Sequence, residues 1–136
     1  HVGPQRKLAP QRGQFLIGNA FRFIKGNYMR PITLEQMARA VHMSSRNFCR
    51  YFHMATGMTP TKYLTTYRLE QAKELLVDTM LSVDEVARRC GFCDGNYLSK
   101  LFRQKYRTTP RAYRLAENKL NDLALLLSRE RDGDTT

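Results

Sequence analysis

The sequence predicts an all-α fold, because its apolar residues recur at helical spacing and because one helical unit is present twice. Residues 33–43 align with residues 82–92 at an offset of 49, and residues 44–63 align with residues 94–113 at an offset of 50. The apolar positions follow the i, i+3, i+4 pattern of amphipathic helices, and no run of strand length alternates. Each copy is therefore predicted to be a short helix, a tight turn and a longer helix.

Capping residues set the expected boundaries of the helices in the first copy. A first helix is expected over roughly residues 14–28, closed by Pro31. Thr33 is the expected N-cap of the second helix and forms a capping box with Gln36, three residues on. Ser44 is expected to cap the third helix, which ends at the next glycine.

A long helix follows and leads into the second copy. Thr59 as N-cap with Pro60 at the first helical position is the arrangement that a helix start prefers, and no breaker intervenes before Asp78. The remaining N-caps are expected at Ser82, in a second capping box with Glu85, at Asp94 and at Thr109.

These elements predict two tandem subdomains joined by a long linker helix. The predicted organisation is a linker over 1–13, a first subdomain over 14–58, the linker helix over 59–78, a second subdomain over 79–117, and a helical extension with a frayed tail over 118–136. A chain that starts at His1 after a polar, Pro- and Gly-containing stretch is expected to be a fragment of a longer protein. The extension is expected to pack on the second subdomain, rather than to dimerise, through Leu120, Leu123, Leu126 and Leu127.

The chain is strongly basic, and the excess lies in its first 115 residues. The whole sequence has 23 Lys and Arg against 12 Asp and Glu, of which 20 basic and 7 acidic residues precede position 116. Such a field attracts polyanions. No apolar run approaches the ~18–20 residues that span a bilayer, so no membrane association is expected. Three cysteines, an odd number, favour a reducing cytoplasm over a disulfide scaffold.

A basic chain that repeats a short-helix, turn, long-helix unit fits a tandem helix-turn-helix protein that binds duplex DNA. In this motif the first helix crosses the DNA backbone and the second enters the major groove. The turn requires a positive φ, which Gly91 supplies in the second copy and His42 in the first. A linker helix of ~19 residues is ~28 Å long and suits two reading helices in adjacent major grooves, ~34 Å apart.

The face of each reading helix opposite its core residues supplies the expected base contacts. In the first helix this face carries Ser45, Arg46, Asn47, Cys49 and Arg50, and in the second it carries Gly95, Asn96, Ser99, Lys100 and Arg103. Arg and Lys can recognise guanine, and Asn can recognise adenine. The alternative for Arg50 and Arg103 is a solvated side chain or a phosphate contact.

Helix N-termini supply the expected phosphate contacts, since their free N–H groups and the helix dipole favour anions. The residues in such places are Thr33, Ser44, Thr59, Lys62, Ser82 and Arg111. The alternative for each hydroxyl is a role as a helix cap alone.

Three segments carry a family resemblance. Residues 82–102 and 109–114 resemble the C-terminal signature of AraC/XylS-type transcription regulators, and residues 67–76 resemble the linker helix of that family. The resemblance covers roughly residues 15–116. It implies a bacterial, sequence-specific regulator, often an activator that touches RNA polymerase, with a sensor or dimerisation domain preceding this one. The family usually has Gly where this chain has Arg107, and the extension lies beyond the pattern.

Other functions are less well supported. Cys90 and Cys93 form a C-x-x-C, but the further ligands that zinc needs lie in the other copy, so no metal or cofactor is expected and Cys90 is interpreted as a core residue. No catalytic constellation is present, so an enzyme is not expected. The alternatives to specific DNA binding are a protein-interaction module that uses the Leu-rich extension and a non-specific nucleic-acid binder.

Overall fold

The computed structural model describes residues 10–134, which form α-helices joined by short connections. The helices are α1 (Pro10–Asn27), α2 (Leu34–Ala40), α3 (Ser45–Thr56), α4 (Pro60–Asp78), α5 (Val83–Arg89), α6 (Gly95–Tyr106) and α7 (Pro110–Asp134). This confirms the all-α class. The predicted linker over 1–9 and the end of the predicted tail, 135–136, lie outside the described residues. No helix in the described range is long and apolar enough to span a membrane.

The first helix begins four residues earlier than the apolar periodicity indicated. Pro10 occupies its first position, where the missing N–H costs no hydrogen bond and the fixed φ suits a helix. Residues 10–13, which the sequence assigned to a linker, therefore form the first turn of α1.

Side-chain caps begin the helices of both copies. The predicted N-caps accept the backbone N–H three residues on, over 3.1 Å for Thr33, 3.2 Å for Ser44, 3.2 Å for Thr59, 3.1 Å for Ser82, 2.8 Å for Asp94 and 3.1 Å for Thr109. Thr33 and Gln36 form the complete capping box. The second box is present only in its Ser82 half, because the carboxylate of Glu85 binds Arg88 and Arg89 instead.

The chain divides into two compact units within α4, the first ending at Arg68 and the second beginning at Leu69. The core of the first unit consists of Ala20, Ile24, Met37, Ala38, Val41, Phe48, Phe52 and Leu64. At its centre the ring of Phe52 meets the rings of Phe21, Phe48 and Tyr63 edge-on, with centroid distances of 5.9, 5.5 and 5.4 Å. This aromatic cluster fixes the inward face of α3.

The second unit repeats this arrangement with its own apolar residues. Its buried hydrophobic side chains are Leu69, Ala72, Leu76, Val86, Ala87, Cys90, Phe92, Leu98 and Phe102. Cys90 is fully buried at the position equivalent to Val41, which confirms its interpretation as a core residue. The ring of Phe102 lies 4.7 Å from that of Tyr106 and 5.6 Å from that of Tyr113.

Polar contacts connect α6 and α7 to the second half of α4. The hydroxyl of Tyr106 donates to Glu70, and the ammonium of Lys73 lies 4.6 Å from the centre of the Tyr106 ring. Burial, with Glu70 adding to it, raises the pKa of Tyr106, so this hydroxyl stays protonated. The Nε of Arg114 donates to the carbonyl of Leu76 over 2.7 Å. These contacts hold the C-terminal end of α6 and the first turns of α7 against α4.

The leucines of the C-terminal extension are exposed. Leu120, Leu123, Leu126 and Leu127 are 60, 53, 57 and 54% accessible. The expectation that they pack on the second unit is therefore wrong. The physical reason is that α7 continues without a break from Pro110, so no turn brings these residues back onto the unit.

Candidate nucleic-acid interface

The turn between α2 and α3 and the turn between α5 and α6 share a residue with positive φ, although the second turn is one residue longer. His42 has φ +59° and Gly91 has φ +91°, which confirms the positive φ expected at both positions. The N–H after each of them returns to the preceding helix, from Met43 to Ala38 over 3.0 Å and from Phe92 to Ala87 over 2.9 Å. The two copies are thus the same motif in structure as well as in sequence.

The ends of α3 and α6 also match. Gly57 (φ +77°) and Arg107 (φ +62°) both adopt the left-handed conformation that closes a helix. Their N–H groups donate to His53 over 2.8 Å and to Arg103 over 2.9 Å. Arg107 therefore ends α6 in the way that glycine ends α3, although a side chain makes this conformation less favourable.

The outward face of α3 presents polar side chains of the kinds that read base edges. Arg46, Asn47 and Arg50 are exposed, while Ser45 and Cys49 are half-buried. The guanidinium of Arg50 donates to the side-chain oxygen of Asn47 over 3.2 Å, so one residue orients the other. The inward residues of the same helix are fully buried, and this fixes which face points outward.

The outward face of α6 is similar, with one correction. Asn96, Lys100 and Arg103 are exposed and Ser99 is half-buried. Gly95 is buried, so the expectation that it faces outward is wrong. Its N–H donates to Oδ1 of Asp84 over 2.7 Å, which turns this position toward α5.

Asp84 connects the two helices of the second motif. Its second carboxylate oxygen accepts from Arg88 over 3.0 Å. The hydrogen bond from the Gly95 N–H, followed by that from Arg88, lowers the pKa of Asp84 below its ordinary value. A Cβ on Gly95 would lie only 3.0 Å from Oδ1 of Asp84 and 3.3 Å from its backbone, so glycine permits this close approach.

Two exposed residues on α3 and α6 were not among the predicted base contacts. Tyr97 is 46% exposed and occupies the position equivalent to Asn47, with its ring edge-on to Phe92 at 6.1 Å. His53 is exposed at the position equivalent to Arg103. The offset of 50 between the copies could have identified both residues, because it aligns each of them with a residue that was predicted to contact bases.

The family model described as a helix-turn-helix domain matches residues 37–116, which is more than half of the chain. Among solved structures, an AraC-type regulator from Chromobacterium violaceum is 30% identical with a TM-score of 0.72, over 75% of this chain and 91% of that one. The chain belongs to the AraC-type helix-turn-helix family.

Further relatives of this AraC-type domain include proteins named as regulators of transcription. The uncharacterised regulator YpdC of Escherichia coli K12 is 31% identical over 102 residues, which is 75% of this chain and 36% of YpdC. The activator RhaS of an Enterobacter species is 36% identical over 92 residues, 68% of this chain and 33% of RhaS. The chain thus spans about a third of the length of these curated relatives.

A second similar structure contains nucleic acid. It is the DNA-binding domain of the transcription factor AdpA, solved in complex with a target DNA. It is 37% identical with a TM-score of 0.70, over 74% of this chain and 90% of that one.

The candidate phosphate contacts of this AraC-type domain are all exposed, namely Thr33, Ser44, Thr59, Lys62, Ser82 and Arg111. Each of the four hydroxyls accepts a capping N–H. A hydroxyl has two lone pairs and one proton, so a capping hydroxyl still has a proton to donate to a phosphate oxygen. The capping role and the phosphate role are therefore compatible.

The cysteine and histidine side chains do not form a metal centre in the described residues, where no group of three metal-ligating side chains comes together. Cys90 is buried in the core and Cys93 is exposed. The two sulfur atoms of the C-x-x-C thus lie in different environments.

We expect the Asp84 carboxylate to make the stability of the second unit depend on pH in the acid range. Because the folded-state pKa of Asp84 is lowered, its contribution is present above the ordinary pKa of 3.8 and is lost as pH falls through the folded value. The native chain should have a higher Tm than Asp84→Asn at pH 7, and this difference should vanish at the lowest pH. Thermal melts of both proteins between pH 2 and pH 7 test this, and a difference that is constant with pH would contradict it.

We expect Gly95→Ala to lower the free energy of unfolding by about 1–3 kcal/mol, because the new methyl group meets Asp84. Gly18→Ala is the matched control within α1, where the nearest atom is 3.8 Å away on the mobile end of Arg22. There the same change should stabilise the chain by about 0.5–1 kcal/mol. Denaturant unfolding measures both changes, and an equal sign for the two variants would contradict the crowding at Gly95.

Proposed function

We propose that this chain is the sequence-specific, double-stranded DNA-binding domain of a bacterial transcription regulator. In this proposal α3 and α6 act as recognition helices that enter adjacent major grooves. The observation that carries the proposal is the repeated motif itself, in which a turn with a positive-φ residue precedes each of two helices with an exposed, polar face. The similar AdpA domain, which was solved with its target DNA, supports it.

The reading helices offer different chemistry in the two halves of the site. On α3 the proposed base-reading residues are Ser45, Arg46, Asn47, Cys49 and Arg50. On α6 they are Asn96, Ser99, Lys100 and Arg103, with Tyr97 added from its exposure. The two arginines of α3 favour guanine and the asparagines favour adenine. Gly95 is not among the proposed base-reading residues, because it is buried where α6 packs against α5.

Affinity, in contrast to specificity, is proposed to come mainly from the phosphates. The six exposed residues at helix N-termini position the domain, and the net charge of +11 raises its affinity for any duplex. The hydroxyls fix register and carry no base information, whereas the side chains on α3 and α6 decide between sequences.

The parent protein is proposed to be a cytoplasmic regulator in which a sensor or dimerisation domain accompanies this one and RNA polymerase is the protein partner. The resemblance to the AraC family supports this, as does the similarity to RhaS, which is named an activator. The proposed subdomains are 10–58, which includes the first turn of α1, and 79–117, with the helix over 59–78 between them and the extension over 118–136.

Selection of binding sites from random duplex DNA tests the proposed function. At moderate salt the retained sequences should contain two informative blocks without palindromic symmetry, centred about 10 base pairs apart, which is one turn of DNA. A single block would contradict the reading role of one unit. Binding without enrichment that only weakens as salt rises would replace the proposal with non-specific nucleic-acid binding.

A further inference from the structure

The C-terminal part of α7 displays a stripe of leucines that the proposed DNA surface does not use. We define the leucine stripe as Leu120, Leu123, Leu126 and Leu127, each more than half exposed. At ~100° per residue these side chains fall within one side of the helix. Leu125 is equally exposed but points to the opposite side, so it provides a control position. Exposed apolar stripes of this kind mark interaction surfaces.

The charges around the leucine stripe differ from those of the rest of the chain. Residues 116–131 hold three acidic and three basic residues, Glu117, Asp122, Glu130, Lys119, Arg129 and Arg131, whereas the whole chain has a net charge of +11. A second copy of the chain would therefore meet no net repulsion at this segment. Elsewhere on the basic surface, two copies repel each other.

We propose that the leucine stripe binds the same stripe of a second copy of this chain, with the two helices antiparallel. Lys119, Leu123, Leu126 and Glu130 are spaced by four, three and four residues, which is the spacing of a coiled-coil seam. Antiparallel pairing places Leu123 opposite Leu126 of the second copy. A two-fold axis then makes every contact twice.

The same register places charged side chains of one copy opposite side chains of the other sign in the second copy. Lys119 faces Glu130 of the second copy, and Asp122 at the flank of the seam faces Arg129 of the second copy. Leu120 and Leu127 pair across the other flank. A parallel pair would instead bring Lys119 against Lys119 and Glu130 against Glu130. Charge complementarity thus selects both the antiparallel direction and the register.

The length of the segment sets the strength of the contact. Residues 119–130 cover ~17 Å of helix. A contact of this length buries less than the ~800 Å² per partner that is typical of stable complexes. The pair is accordingly weak and forms at high concentration or between copies held close together on DNA.

Sedimentation equilibrium of the full chain without DNA tests the pairing. The native chain should increase in average mass with concentration, from the monomer toward the dimer. Lys119→Glu and Glu130→Lys should each lower the association constant about tenfold, because each creates two like-charge contacts per dimer. The double variant, Lys119→Glu with Glu130→Lys, should restore association, and Leu125→Gln should leave it unchanged.

Several outcomes would overturn the proposal. These are a native chain that stays monomeric at the highest concentration, a double variant as weak as the single ones, and a Leu125→Gln variant that loses association. Circular dichroism of each variant shows whether it keeps the helical content of the native chain, and Leu126→Gln provides an independent change that should also abolish the dimer. Because no DNA is present, failure here leaves the proposed DNA-binding function unaffected.

Discussion

Replacement of Arg50 by alanine is expected to weaken binding to the best DNA site by about 1–3 kcal/mol and to relax base choice in the half read by α3. Arg50 is exposed on the outward face of α3, and its guanidinium is already oriented by Asn47 at 3.2 Å. A preoriented fork loses less side-chain entropy when it binds a guanine edge than a freely moving one. The measurement is the Kd for the selected site and for single-base variants across it.

Two matched variants separate base reading from charge. Lys100→Ala, at the position equivalent to Arg50 in the second copy, should relax base choice in the other half of the site. Lys62→Ala, at the exposed N-terminus of α4, should weaken binding to all sequences to a similar degree. If Arg50→Ala weakens every sequence equally, Arg50 is a phosphate contact and the assignment of the α3 face is wrong.

Phe52→Ala is expected to lower the free energy of unfolding of the first unit by about 3–5 kcal/mol. Phe52 is fully buried, and its ring meets three other aromatic rings within 6 Å. A unit of this size has little more stability than that in total, so α3 should lose its defined position. Hydrogen exchange should show loss of protection in α2 and α3, with protection retained in α5 and α6.

Phe102→Ala is the matched change in the second copy, where Phe102 is also fully buried. It should remove protection from α5 and α6 and leave α2 and α3 protected. In each case the selected DNA sequences should no longer show a base preference in the half of the site that the destabilised unit is proposed to read. Loss of protection throughout the chain from either change would contradict separate cores in the two units.

The sequence predicted those features of the fold that local chemistry determines. Capping hydroxyls, a proline at the first helical position and residues that accept a positive φ each act within a few positions of the backbone. Because the motif is present twice, each of these assignments could also be compared with the equivalent position in the other copy. For this reason His42 was correctly placed in the left-handed turn although glycine would be more usual there.

The features that the sequence did not predict depend on contacts between elements. Helical phase alone places Gly95 outward, whereas its approach to Asp84 is a packing property of α5 against α6. Similarly, Glu85 fits a capping box by spacing, but two neighbouring arginines compete for its carboxylate. The leucines of α7 are apolar enough for a core, and only the path of the helix shows that no core covers them.

Each copy has two residues in the left-handed conformation, one in the turn and one at the end of the second helix, and these positions affect how the two copies can diverge. In each copy one of these two positions is glycine and the other is not. The first copy has His42 and then Gly57, whereas the second has Gly91 and then Arg107. A side chain in this conformation costs about 1–2 kcal/mol of backbone energy, although glycine loses more entropy on folding. Each half therefore has its own position at which the backbone energy can change, separate from the side chains proposed to read bases. Evolution can therefore tune the rigidity of one half at these positions while the proposed base-reading residues of both halves stay the same.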